Sequence, residues 1–445
     1  EIASNGTGNW VFNATAPNDA VSTANNTTQS ATTTPTAVPD VTLSTVTIKN
    51  GDLRFVDHAA ASDYQLSALN LTLDWPTLAA DVSASLSAQF NGQPISVTLA
   101  STSPMGLING KSATVDLSAD LSGSLIKYDG TLSMAPNATG SLNADISNIP
   151  ALLSLAGLSG VALPDFIGNS AKVKTDISVS ENRISLPNLS VGLTKNAISA
   201  SLDIALAAKA TVSGSVNIGD FDMRSAGGAD QGTAGSKTSA STSTGWSTAP
   251  IDVSALGALN ADIALTARSL KLDALSTQAI SGRITLNDSR ATVTLNDVAA
   301  YDGNIKGEVI LNGRKGLSSS ADLRATQIAM KPLLTEMAEI TKFGGRADVS
   351  LSYLSNGNSL DALIKNLSGQ GAISFAQGHF DGVDMDKLMR SGDVGSGTTV
   401  FDDLNASFSI KEGVVTNKDL KLSLPNFATF GEGQINLGGQ TIDYL

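Results

Sequence analysis

Residues 346–355 read RADVSLSYLS, in which Ala347, Val349, Leu351 and Tyr353 alternate with Arg346, Asp348, Ser350 and Ser352. Successive side chains of an extended chain point to opposite sides, so this period of two predicts a strand with one face turned away from water. The pattern recurs along the chain. RATVTLN (290–296) sets Ala291, Val293 and Leu295 against Arg290, Thr292, Thr294 and Asn296. DVSASLSAQF (81–90), ISVTLA (95–100), ATVDLSADLSG (113–123), VKTDISVS (173–180), AISASLDIAL (197–206), LNASFSI (404–410) and LKLSLP (420–425) read the same way. Between such runs Asn50-Gly51, Asp129-Gly130, Asp302-Gly303 and Glu412-Gly413 supply residues that tolerate positive φ, which predicts tight hairpin turns and an antiparallel meander.

Helical signals are few. KPLLTEMAEITKF (331–343) places Leu333, Met337 and Ile340 at helical spacing, opens on Pro332 and stops at Gly344-Gly345. IPALLSLAGL from Ile149 opens on a proline in the same way, and DMDKLMR from Asp384 offers Asp384 as an N-cap. These helices cannot cover the apolar sides of so many strands. Two packed sheets, a filled solenoid, or a curved sheet open to an apolar ligand would each satisfy that burial. Sandwich cores draw on aromatic side chains, and this chain has 12 Phe, 5 Tyr and 3 Trp in 445 residues. That poverty favours the open sheet. The predicted class is mainly β: a long curved antiparallel sheet forming an apolar groove, built from two related modules with a few short helices. The groove face is assigned to Val293, Leu295, Ile305, Val309, Leu311, Val349, Leu351, Ile373, Phe375, Phe408, Ile410, Leu422 and Leu424.

Composition narrows the function. Forty-one acidic residues against 28 basic ones give a net charge of −13, opposite to the basic stripe that a nucleic-acid partner requires. The chain has no cysteine, so neither a disulfide framework nor a thiolate metal site is available. Residues 13–40 and 224–245 are Ser/Thr/Asn/Gly-rich and read as linkers, with too little apolar surface to offset the entropy of ordering. Landmarks recur near a period of 175: Trp75 and Trp246, the YDG triplets at Tyr128 and Tyr301, Asp176 and Asp348. The organisation expected is a strand remnant and linker over 1–40, a first module over 41–223, a linker over 224–245 and a second module over 246–445. The chain starts at Glu1 and ends inside an apparent strand, so a fragment of a longer protein is expected.

Residues with catalytic or metal-binding potential have simpler readings. His58 and His379 sit in separate modules, each without an oriented third partner. Asp381, Asp384 and Asp386 lack the EF-hand spacing, and capping by Asp384 accounts for the cluster. RSGDVGSGTT (390–399) lacks the lysine of a phosphate-binding loop. Trp10, Trp75 and Trp246 read as packing residues, the latter two at the start of each module. No catalytic residues, metal or cofactor are expected.

Three longer stretches carry a resemblance. SGRITLNDSRATVTLNDVAAYDGNIKGEVILNG from Ser281, KPLLTEMAEITKFGGRADVSLSYLSNGNSLDALIKNLSGQGAISFAQGHFDGVDMDKLM from Lys331, and TTVFDDLNASFSIKEGVVTNKDLKLSLPNFATFGEGQINLGGQTIDY from Thr398 resemble the C-terminal region of the AsmA family. VTIKNGDLRFVD (46–57) and YQLSALNLTLDW (64–75) are similar to its upstream domain. The resemblance implies a periplasmic protein tethered to the inner membrane of a Gram-negative bacterium by an upstream anchor absent from this chain. It also implies membership of the bridge-like lipid-transfer group and phospholipids as cargo moved towards the outer membrane; for want of a convergent acid/base set, no enzymatic activity is expected. Outer-membrane or periplasmic proteins are the expected partners, and no nucleic acid. The alternatives are an adhesive or structural β-solenoid with a solid core, which would show short repeats of about 20 to 30 residues, and, third, a β-helical enzyme.

Overall fold

A computed structural model describes residues 44–57, 62–77, 79–102, 104–134, 137–158, 163, 167–223, 245–272, 275–392 and 396–445. Strand makes up 66% of the described residues, about three times the usual share, and the class is mainly β and mostly antiparallel, as expected. The expected linker over 13–40 and all but Gly245 of that over 224–245, together with Trp10 and His58, lie outside the described residues.

The chain divides into two compact units, residues 1–162 with 169–171, and residues 163–168 with 172–445. This division follows packing and falls elsewhere than the sequence period, which places its boundary at 224–245.

The first unit carries β1 (Thr45–Asp57), β2 (Ser62–Asp74), β3 (Val82–Phe90), β4 (Gln93–Ser101), α1 (Pro104–Ile108), β5 (Ser112–Leu121), β6 (Ser124–Ser133), β7 (Asn137–Ile146) and α2 (Ile149–Leu155). Its strands pair with their chain neighbours. Register converts the alternation into rows: Val46, Leu73, Ala84, Leu99, Leu117, Tyr128 and Leu142 lie side by side. The adjoining row, Thr72, Ser85, Thr98, Ser118, Lys127 and Asn143, belongs to the other face.

The second unit holds β8 (Ala171–Ser180), β9 (Arg183–Leu193), β10 (Ala197–Ala205), β11 (Thr211–Asp222), β12 (Asn260–Leu272), β13 (Leu275–Thr277), β14 (Ile280–Asn287), β15 (Arg290–Ala300), β16 (Gly303–Asn312) and β17 (Ser318–Ala329). It continues through α3 (Met330–Ala338), β18 (Phe343–Asn356), α4 (Leu360–Lys365), β19 (Ser368–Asp381), α5 (Met385–Ser391), β20 (Thr398–Phe401), β21 (Asp403–Lys411), β22 (Val414–Ser423), β23 (Ala428–Asn436) and β24 (Thr441–Tyr444). β11 and β12 pair in parallel, which requires a long crossover between them. From β12 onward the ladder is antiparallel in chain order, with β13 and β20 as short additions on β12 and β19.

Two of the four expected turns are found. Tyr301 and Asp302 (φ 48° and 58°) join β15 to β16, and Glu412 and Gly413 (φ 50° and 73°) join β21 to β22. The other two are corrected. Asn50, at φ 49°, forms a bulge inside β1, where the register shifts between Ile48 and Gly51 and the Asn50 N–H donates to Asn70 Oδ1 at 3.2 Å. Asp129-Gly130 lies in mid-strand in β6. Gly130 faces Gly140 there, and a Cβ on either would collide with the opposite backbone. Glycine serves close approach at that point and supplies no turn. Tyr128 is therefore a strand residue while Tyr301 begins a turn, and the two YDG triplets are not structurally equivalent.

The three expected helices form. α2 opens with Asn148 Oδ1 accepting from the Ala151 N–H at 3.0 Å and α5 with Asp384 Oδ1 accepting from the Lys387 N–H at 2.9 Å. α3 is shorter than expected because Glu339 adopts a left-handed φ of 57° and ends it before Phe343.

Candidate functional site

All thirteen residues assigned to the apolar face occupy one side of the second unit. One row runs Ile263, Ile284, Val293, Val309, Ala321, Tyr353, Gly369, Ile410, Val415 and Ile435. The next runs Leu265, Gly282, Leu295, Gly307, Leu323, Leu351, Gly371 and Phe408. A third aligns Val298, Ile305, Ala325, Val349, Ile373 and Ala406, and a fourth Ile328, Ala347, Phe375, Leu404 and Leu422. Leu311 lies one pleat beyond the first row, opposite Ala291, and Leu424 just past the end of β22.

Tertiary packing divides these rows. Phe375 (2% exposed), Leu422 and Leu424 are buried in a cluster with Ala300, Tyr301, Ile328, Met330, Ala347 and Phe401, and Ile305, Val349 and Ile373 pack against it. Leu333 and Leu334 of α3, Met385 of α5 and the Phe343, Phe380 and Phe427 rings complete the cover. Phe343, Phe375, Phe380 and Phe401 form an aromatic group with ring centroids 4.6 to 6.0 Å apart, in edge-on, tilted and, for Phe343 with Phe401, stacked contacts. Six of the thirteen residues thus belong to a packed core at the helical end of the sheet. Val293, Leu295, Val309, Leu351 and Phe408 remain half-buried, Leu311 is 36% exposed, and Ile410 is buried apart from that cluster. The second row sets three glycines, Gly282, Gly307 and Gly371, among its bulky side chains. Phe408 lies over Gly371, where a Cβ would meet its ring.

A hydrogen-bond lock holds α3 on the core. The Glu336 carboxylate accepts from Tyr301 Oη at 2.6 Å and from Ser276 Oγ at 2.5 Å, while the Ser276 N–H donates to Tyr301 Oη at 3.1 Å. Burial, and secondarily the bond to Glu336, push the Tyr301 hydroxyl above its ordinary value of 10.0.

The opposite ends of the strands are crossed by residues 246–259. Trp246 Nε1 donates to the Leu437 carbonyl at 2.6 Å, the Asp361 N–H to the Ser247 carbonyl at 3.0 Å and the Ile251 N–H to the Asn358 carbonyl at 2.8 Å. Val253 abuts Gly313 and Gly257 abuts Ser289 before the Asn260 N–H reaches the Ala210 carbonyl at 2.8 Å. This strap travels from β23 back to β12. It covers nine strand-to-strand steps in fourteen residues, with one 3-10 turn at Ser254–Gly257 on the way. Nothing in its sequence periodicity announces it.

The polar face is solvated and paired. Arg283 grips Asp262 with two bonds of 2.6 and 2.5 Å, and that hydrogen bonding holds the Asp262 carboxyl below its ordinary range. His379 Nε2 lies 3.9 Å from Asp381 Oδ2. Among the described residues no group of three or more His, Cys, Asp or Glu side chains could hold a metal ion, and no helix is long and apolar enough to cross a membrane.

Fold and face together define a β-sheet scaffold with one lipophilic side, covered by helices at one end and strapped at the other. The model of the AsmA family matches residues 100–420, and the chain belongs to that family. No curated protein and no solved structure matches it.

Proposed function

We propose that this chain is the periplasmic part of an envelope protein that binds phospholipid acyl chains along the half-buried apolar rows of its sheet and conveys them towards the outer membrane. The observation that carries the reading is the register of Val293, Leu295, Val309, Leu351 and Phe408, which brings five half-buried apolar side chains onto one face across neighbouring strands. An acyl chain laid there keeps about 0.8 kcal/mol per methylene that water would take away. Headgroups stay in water at the margin. Exchange between bilayer and sheet is then nearly isoenergetic, so direction is imposed from outside. AsmA membership supports an envelope setting and a role in lipid transport or assembly. Tethering to the inner membrane by an upstream segment belongs to the same proposal. The chain acts without catalysis, as a carrier.

Mass spectrometry of lipid extracted from natively purified protein, with fluorescent acyl-probe titration, tests this reading. Co-purifying phospholipid and saturable probe binding are expected. A protein that carries no lipid and binds no probe is instead a structural β element, the second reading, which the packed Phe375 cluster favours.

A further inference from the structure

On the polar side of the sheet, at the helical end of the second unit, a concavity of about 750 Å3 is formed where the end of β17, the start of β18, and stretches of β19 and β20 meet. Its floor is Gly344, Ala329 and Ala376 and its walls carry Lys331, Arg346 and His379. Side assignment is unambiguous. A Cβ on Gly345 or Gly378 would run into Phe375 or Phe401 in the core, whereas one on Gly344 would collide with the His379 ring on the other side. The absent Gly344 side chain is what gives that imidazole its seat.

Two permanent cations and one of the chain's two histidines meet here in a protein of net charge −13. Their counter-ions sit loosely. Lys331 Nζ is 3.7 Å and His379 Nε2 3.9 Å from the same Asp381 oxygen, and Arg346 Nη2 is 3.6 Å from Asp302. Elsewhere the Arg54–Asp63 and Arg283–Asp262 pairs close to 2.6 and 2.5 Å. Asp381 instead accepts from Thr398 Oγ1 at 3.0 Å. Arg346 commits Nη1 to the carbonyls of Asp302 and Gln327 at 3.1 and 3.0 Å, which fixes the guanidinium against the wall. A lysine offers three N–H donors and an arginine five, so the site keeps donor capacity on three sides. A carboxylate has two oxygens in one plane. A tetrahedral anion with three or more oxygens can accept from lysine, arginine and imidazole at once.

We propose that this concavity binds a phosphoryl anion, presented either by a phospholipid headgroup or by a soluble phosphate ester. It lies on the face opposite the apolar rows and does not rest on the acyl-chain reading; either can fail while the other stands.

The experiment uses the full chain, with inorganic phosphate and glycerol phosphate as soluble probes in calorimetric titration, and flotation with phosphatidylglycerol vesicles against phosphate-free galactolipid vesicles. Lys331→Gln with Arg346→Gln is expected to weaken soluble-probe binding by about a hundredfold, roughly tenfold for each charged donor lost. Gly344→Ala, which displaces His379 and keeps both cations, should weaken it by less. Lys306→Gln with Arg324→Gln removes a facing cation pair on β16 and β17 of the same face and should leave binding unchanged. Phosphate-competable flotation with phosphatidylglycerol alone assigns the headgroup, and soluble binding without flotation assigns the free ester. The proposal is overturned if the wild-type chain binds neither probe, or if the Lys306/Arg324 variant loses as much as the Lys331/Arg346 variant. Circular dichroism of each variant separates lost binding from lost fold, and acyl-probe binding should persist in all of them.

Discussion

Trp246 Nε1 donates to the Leu437 carbonyl at 2.6 Å across 191 residues of sequence, fastening the strap that precedes β12 to the turn between β23 and β24. This bond and the half-buried indole tie the last hairpin to the segment that leads along the strand ends to β12.

Trp246→Phe keeps most of the packing and loses the bond, and should cost about 1 kcal/mol. Trp246→Ala loses both and should cost roughly 3 kcal/mol. Hydrogen exchange supplies the check: amides of β23 and β24 should exchange faster in the alanine variant, and unchanged protection there would mean the strap restrains nothing.

Leu351 and Phe375 share a face but not an environment. Phe375→Ala opens a cavity in the packed cluster, with an expected loss of about 3 to 5 kcal/mol. Leu295→Glu and Leu351→Glu put carboxylates on the half-covered rows, where water can reach them; the fold should persist while acyl-probe binding falls. Thr294→Glu and Ser350→Glu, on the other face, should change neither. Unfolding of the Leu351→Glu protein would place those rows in a solid core.

The Tyr301 lock has an alkaline signature. A hydroxyl whose folded pKa lies above its unfolded value of 10.0 adds stability that is complete below pH 10 and disappears as pH rises through the folded value. Denaturant melts of wild type and Tyr301→Phe should therefore differ at neutral pH, by about 1 to 2 kcal/mol for a bond to a carboxylate, and converge at high pH. A pH-independent gap would remove Tyr301 ionisation from the account.

Gly371 sits between the Ser350 carbonyl and the Phe408 ring, both of which a Cβ would strike. Gly371→Val should lower the melting temperature, and adding Phe408→Ala should restore only part of the loss because the carbonyl clash remains. Full restoration would mean that the ring alone requires glycine there.

Much of this was legible in one dimension. The period of two in RADVSLSYLS and RATVTLN assigns Val349, Leu351, Val293 and Leu295 to one face because parity is local, and every ladder partner found preserves it. Asp384 as a cap and Pro150 at the start of a helix are equally local. Turn chemistry was only half legible: Asn50 and Glu412 both adopt positive φ, yet one makes a bulge and the other a hairpin, since the partner strand decides whether the chain reverses.

The sequence by itself determined that this protein is a sheet with an apolar and a polar side, because side-chain alternation needs no knowledge of distant residues. Only the tertiary structure decided which apolar residues stay open. Phe375 and Leu351 follow the same alternation in neighbouring strands, but α3, α5 and β20 fold over the first and leave the second half-exposed. The parallel pairing of β11 with β12, the strap from Trp246 and the meeting of Lys331, Arg346 and His379 depend likewise on contacts between residues far apart in the chain. Such contacts are set by how elements pack, which the periodicity of any single element does not encode.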